Sequence, residues 1–247
     1  MNGHPLLEAR GVSVRFGGLV AVDQVSAAFA AGELVGIIGP NGAGKTTFFN
    51  ALSGVVQPAG GDLYAGGHRL TGARPHRYAA RGIARTFQTP RVFGELPVAA
   101  NIDFGLQFAG LHRKASWLLK DEASILHLIG LAAQAALPAA AITPSQQRLL
   151  EIGMALATRP RLLLLDEVAA GLTEAEVDSM GQLIRRLRDE LDLTVIWIEH
   201  AVTTLLRYVE RVIVLHQGRK IADGTPDAVV RNAEVIEAYL GDEMAET

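Results

Sequence analysis

The nine residues Gly39-Pro40-Asn41-Gly42-Ala43-Gly44-Lys45-Thr46-Thr47 constrain this chain more than any other stretch. They follow an apolar run, LVGIIG (34–39), that is short, β-branched and reads as a buried strand. The next segment, FFNALSG (48–54), reads as helix. The spacing is glycine, four residues, glycine, lysine, threonine. Glycines let backbone N–H groups converge on an oxygen-rich anion, and the start of the next helix adds positive potential. Lys45 would then bridge terminal phosphates, Thr46 would place its hydroxyl on Mg²⁺, and Thr47 would add a phosphate contact. A plain glycine-rich turn is the alternative, and the strand–loop–helix context argues against it.

Three further runs have the same buried-strand character: RLLLLD (161–166), LTVIWIE (193–199) and RVIVLH (211–216). Between the first two lies TEAEVDSMGQLIRRLRDEL (173–191), with apolar residues at helical spacing and charges opposite. Such alternation predicts an α/β fold with a mostly parallel sheet covered on both faces. Ahead of it, residues 6–33 alternate apolar and polar side chains around a glycine pair, which predicts an antiparallel meander. Residues 98–141 are rich in alanine and leucine at helical spacing and predict an inserted helical subdomain. The expectation is one domain over 5–242, with a core of about 5–88 and 158–242 and a helical part of about 89–157.

Composition removes several function classes. Hydrophobic residues make up 49% of the 247 and charged ones 20%, which argues for a filled core rather than disorder. A net charge of −3 offers no global field for nucleic acid or anionic lipid, so no nucleic-acid partner is expected. The absence of cysteine excludes disulfides, thiolate metal sites and cysteine nucleophiles. The start MNGHPLLEARGVSV lacks a basic segment followed by an apolar one, so no secretory signal is expected. No window approaches the ~18 apolar residues of a membrane span. A soluble chain is expected, reaching a membrane only through a partner.

Asp166 and Glu167 close the run RLLLLDE (161–167). An aspartate there can hold Mg²⁺ through water, and a neighbouring glutamate can polarise an attacking water. The pair can equally cap a following helix. Singly, His200 at the end of LTVIWIEH and Gln88 in GIARTFQTP say little. Their order is informative. Phosphate loop, glutamine, signature region, Asp-Glu and histidine resemble the arrangement of ATP-binding cassette (ABC) ATPases over nearly the whole chain. That resemblance implies a P-loop nucleotide-binding core with an N-terminal antiparallel subdomain and an inserted helical one. It also implies ATP and Mg²⁺ as ligands. Gln88 would contact Mg²⁺ and the attacking water, and would relay motion to a membrane partner. Asp166 would hold Mg²⁺, Glu167 would be the general base, and His200 would contact the γ-phosphate. Phe16, in VRFGG, matches the aromatic that stacks on adenine, with a core phenylalanine on a strand as the alternative.

A narrower likeness rests on FGGLVAVDQVS, GPNGAGKTTFFNALSG, GIARTFQ, QQRLLEI, DEVAAGL, IEHAV and the tail GTPDAVVRNAEVIEAYLG. Together they resemble the ATPase subunits of branched-chain (hydrophobic) amino acid importers, a group that also serves urea, short amides and aromatic acids. The resemblance implies a second, different ATPase subunit facing this one head to tail, two transmembrane permease subunits and, indirectly, a substrate-binding protein. The chain would sit on the inner face of the cell membrane.

It departs from the family at the signature. Where family members read L-S-G-G-Q or L-A-Y-G-Q, this chain has Ile142-Thr143-Pro144-Ser145-Gln146. Met154 replaces an arginine further along that helix, and Val168 replaces the proline after the glutamate. Thr-Pro-Ser-Gln is itself a capping box with proline at the first helical position, so Thr143 should cap a helix running to about Thr158. Pro144 offers no N–H, and Ser145 puts a β-carbon where glycine lets backbone approach an oxygen, while its hydroxyl could donate instead. In a head-to-tail pair, Thr143, Ser145 and Gln146 would face the nucleotide held by the partner.

Overall fold

A computed structural model describes residues 4–107, 119, 121–199 and 202–245. Two long strands, β1 (Leu7–Phe16) and β2 (Leu19–Phe29), open the chain as an antiparallel hairpin. Then β3 (Leu34–Ile38) leads through the glycine-rich loop into α1 (Lys45–Leu52). After them come β4 (Gly60–Ala65), β5 (His68–Arg69), α2 (Pro75–Ala79) and β6 (Ile83–Arg85). A helical stretch holds α3 (Val98–Gln107), α4 (Glu122–Leu128) and α5 (Pro144–Ala157). Strand and helix then alternate through β7 (Leu162–Asp166), α6 (Glu174–Leu191), β8 (Thr194–Ile198), α7 (Val202–Leu206) and β9 (Arg211–His216). The chain closes on β10 (Arg219–Gly224), α8 (Pro226–Val230) and α9 (Ala233–Ala245).

The larger sheet has the order β10-β9-β3-β8-β7-β6, parallel except at the β10 edge. Its central strands β3, β8 and β7 are buried at every position because both faces are covered. Alternate residues divide between two cores. Leu34, Leu163, Val195 and Val212 join the core against α5 and α6, while Val35, Leu164, Ile196 and Ile213 join the core around α1. Phe48, Phe49 and Leu52 of α1 share that second core with Val12, Val22 and Leu63 of the antiparallel sheet β2-β1-β4-β5. The expected α/β architecture is therefore present, and its four apolar strands lie within one residue of the expected bounds.

Four strands went unread in the sequence. β5 and β6 are only two and three residues long, β4 begins with two glycines, and β10 is a largely polar edge with no fully buried residue. The predicted helical insertion contains α3 and α4, and residues 108–118 and 120 of it lie outside the described residues. No described helix is long and apolar enough to cross a membrane.

Candidate functional site

The glycine-rich loop leaves the C-terminal end of β3, the central strand, and turns directly into α1. Gly39 has a φ of +152°, and a β-carbon there would lie 2.0 Å from the Leu215 carbonyl oxygen. Gly44 has a φ of +93°, and a β-carbon there would lie 2.3 Å from the Ala21 carbonyl oxygen. Glycine is required at both, by conformation and by space. Lys45 Nζ donates to the carbonyls of Gly39 (2.6 Å) and Pro40 (2.8 Å), so the ammonium is held across the mouth of the loop. The Gln217-Gly218 turn buttresses the loop from behind, with Gly218 N donating to Ala43 O at 3.0 Å.

A cavity of about 620 Å³ opens over this loop. Asn41, Gly42, Ala43, Gly44, Lys45, Thr46 and Thr47 line it, together with Phe16, Gln88 and Glu167, whose sequence positions span 151 residues (16 to 167). Phe16 is 52% exposed at the end of β1, which removes the reading of it as a core residue and leaves its ring available to stack. Leu19, Val20 and Ala21 of β2 add an apolar wall beside it.

Gln88 and Glu167 meet directly: Gln88 Nε2 donates to Glu167 Oε2 at 2.8 Å. Glu167 is buried, and its backbone has a φ of +50°, a left-handed conformation unusual for a glutamate. Contacts on its backbone and its carboxylate hold it there. Its N–H donates to Ile198 O (3.0 Å), its carbonyl accepts from Arg148 (2.6 Å), and its carboxylate accepts from Gln88. Asp166, also buried, ends β7 and pairs with Arg85 of β6 at 3.0 Å. Burial pulls the Arg85 guanidinium below its usual range, with the charge of Asp166 opposing that shift. Glu199, buried at the end of β8, accepts from Trp197 Nε1 (2.9 Å) and from Ala169 N (2.7 Å), and burial raises its carboxyl. His200 lies outside the described residues.

Thr143, Ser145 and Gln146 do not join this cavity. They form the N-terminus of α5 through the expected capping box: Thr143 Oγ1 accepts from Gln146 N at 3.2 Å, and Gln146 Oε1 accepts from Thr143 N at 3.0 Å. Ser145 Oγ lies 3.0 Å from Thr143 Oγ1. The Glu176 carboxylate at the start of α6 lies below its usual range because the Thr173 backbone and hydroxyl bond it, with the Ser145 hydroxyl acting in the same direction. The serine hydroxyl is thus already engaged within its own chain.

Sequence reading missed Arg85, Arg148, Glu151, Glu199 and the Gln217-Gly218 turn. Arg148, in Gln-Gln-Arg, and Arg85, three residues before Gln88, were visible beside quoted motifs, but nothing in their spacing announces a long-range partner.

Thr46 and Gln88 bring to the cavity oxygens of the kind a small hard cation takes, whereas Asp166, which ends β7 and pairs with Arg85, does not line it. Among the described residues no cluster of three or more His, Cys, Asp or Glu could hold a metal alone, so an ion here would need oxygens from a bound phosphate.

With this geometry in hand, the comparisons agree. The family model described as "ABC transporter" matches residues 22–170, and that of the "Branched-chain amino acid ATP-binding cassette transporter" matches residues 219–245. The chain belongs to the ABC transporter ATPases. It is 39% identical over 251 residues to the high-affinity branched-chain amino acid transport ATP-binding protein BraF of Pseudomonas aeruginosa, covering 96% of this chain and 98% of that one. LivG of Escherichia coli, similarly described, is 39% identical over 252 residues with the same coverage. The solved ADP conformation of MJ1267, an ATP-binding cassette of an ABC transporter, superimposes with a TM-score of 0.84 at 28% identity, over 96% of this chain and 98% of that one.

Proposed function

We propose that this chain is the ATP-hydrolysing subunit of an importer for branched-chain or related amino acids. It would form one domain over residues 5–242 and work from the cytoplasmic face of a membrane, against two permease subunits and, through them, a substrate-binding protein. The observation that carries this reading is the single cavity joining the phosphate loop, Phe16, Gln88 and Glu167. Full-length similarity to BraF and LivG supports the amino-acid substrate class.

Each residue then has a task. Phe16 stacks on the adenine, the backbone from Gly39 to Gly44 wraps the phosphates, and Lys45 spans the terminal pair. Thr46, Gln88 and Asp166 would hold Mg²⁺, which when bound neutralises charge on the phosphate oxygens. Glu167 takes the proton of the attacking water, and Gln88 orients it through the bond the two share. His200 reaches the γ-phosphate. Exposed Phe93, Leu96, Phe104 and Leu137, in the helical part that follows Gln88, supply an apolar face for a permease segment.

The partner is a second, different ATPase subunit, meeting this one head to tail so that Thr143, Ser145 and Gln146 face its nucleotide. Pro144 removes a donor there, and the Ser145 hydroxyl is engaged with Thr143, so that second site is the weaker one. This same observation favours a second reading, a nucleotide-binding regulatory subunit with little turnover. ATPase activity of the assembled complex separates the two. The proposal expects turnover that falls by about 100-fold or more with Lys45→Ala; the regulatory reading expects the substitution to leave residual turnover unchanged.

A further inference from the structure

Glu151 lies within the stretch QQRLLEI, yet none of the roles above uses it: it is a carboxylate with 6% exposure on the inner face of α5. A charge so placed needs partners to offset its lost hydration. It finds them across 60 residues, in the loop that carries Gln88. Glu151 Oε1 accepts from Arg91 N at 3.0 Å, and its two oxygens accept from Phe87 N at 3.3 Å each. These two amides bracket Gln88, one residue before it and three after. Arg91 also lies over the Phe87 ring at 4.0 Å, closing the loop on itself.

Arg148 sits one turn earlier on the same face of α5 and holds the carbonyl of Glu167 at 2.6 Å. One helix therefore grips both ends of the Gln88–Glu167 hydrogen bond: the backbone around Gln88 through Glu151, and the backbone of Glu167 through Arg148. Its far end is the capped N-terminus at Thr143.

We propose that Glu151 is a positioning residue that fastens the Gln88 loop to α5, so that loop and helix move as one body. The anchoring is read within one chain. Its consequence rests on the head-to-tail pairing proposed above: α5 would face the partner's nucleotide at its N-terminus while setting Gln88 over its own, so Glu151 would link the two ATP sites. Burial pushes the carboxyl up to about 7, opposed by the two amides and by the charges of Arg91 and Arg85.

The test compares Glu151→Ala, Glu151→Gln, Gln88→Ala and the double Glu151→Ala/Gln88→Ala variant. Amide hydrogen exchange is measured on the full chain and ATP turnover on the assembled complex. With Glu151→Ala, exchange at the Phe87 and Arg91 amides should rise about tenfold or more while that of α1 stays unchanged. The kcat should fall about tenfold with KM for ATP within about twofold, and Glu151→Gln, which keeps one acceptor, should fall between. Because Glu151 acts through Gln88, adding Glu151→Ala to Gln88→Ala should lower kcat no further. Full additivity, an unchanged kcat, or a KM rising in step with the loss of kcat would each overturn the proposal. If the wild-type complex lacked ATP turnover, the functional reading would fail, and exchange at the two amides would still decide the anchoring.

Discussion

Asp166 shows how a motif residue depends on one that no motif names. Its carboxylate is 3% exposed, and Arg85, itself 11% exposed, sits 3.0 Å away on the neighbouring strand. Arg85 also donates to Asn50 Oδ1 (2.7 Å) and Ser53 Oγ (2.8 Å) of the α1 segment and lies over the Phe87 ring at 4.6 Å. The guanidinium thus fixes the distance between the phosphate-loop helix and the end of β7. Taking away one member of a buried pair leaves the other charged and desolvated, a loss of about 3–5 kcal/mol. Arg85→Met should therefore lower the free energy of unfolding in urea by about 3 kcal/mol, and adding Asp166→Asn should recover part of it. A change in Arg85→Met below about 1 kcal/mol would mean that the pair carries no structural weight.

Helix α5 is the element on which the account turns. Its N-terminal turn keeps the positive end of the helix dipole aimed outward and satisfies its first amides through Thr143 and Gln146. The departure from the family is local: a proline without a donor, and a serine whose hydroxyl is bonded to Thr143. Ser145→Gly should remove that engagement and let the backbone approach a phosphate, raising turnover at the partner's ATP about threefold to tenfold. Ser145→Gly combined with Pro144→Gly should do no less, and unchanged complex ATPase in both variants would show that the signature is not weakened. The capping box and the bounds of this helix were legible because capping chemistry is local. Glu151 and Arg148 were not, since a glutamate and an arginine on a helix read as solvated until the fold buries them against partners 60 and 19 residues away.

The same division holds across the chain. Strands buried on both faces announce themselves as apolar runs, so β3, β7, β8 and β9 were readable, and with them the loop that leaves β3. Edge strands such as β10 carry no such mark. The carboxylates at the end of β7 were readable as chemistry, whereas the left-handed backbone that aims Glu167 at Gln88 was not: it depends on Ile198 and Arg148 contacts made only in the fold. Phe16 was ambiguous on paper, and its exposure beside the loop removes the core reading. The molecule that results places one candidate base, one orienting amide and one phosphate loop around a single cavity, and presents the signature turn away from it. The most direct measurement of that arrangement is nucleotide occlusion in the assembled complex carrying Glu167→Gln. The account predicts that ATP is retained unhydrolysed in a closed pair and that turnover at this subunit's site falls by about 100-fold or more. Turnover equal to that of the wild-type complex, with no retained ATP, would contradict it.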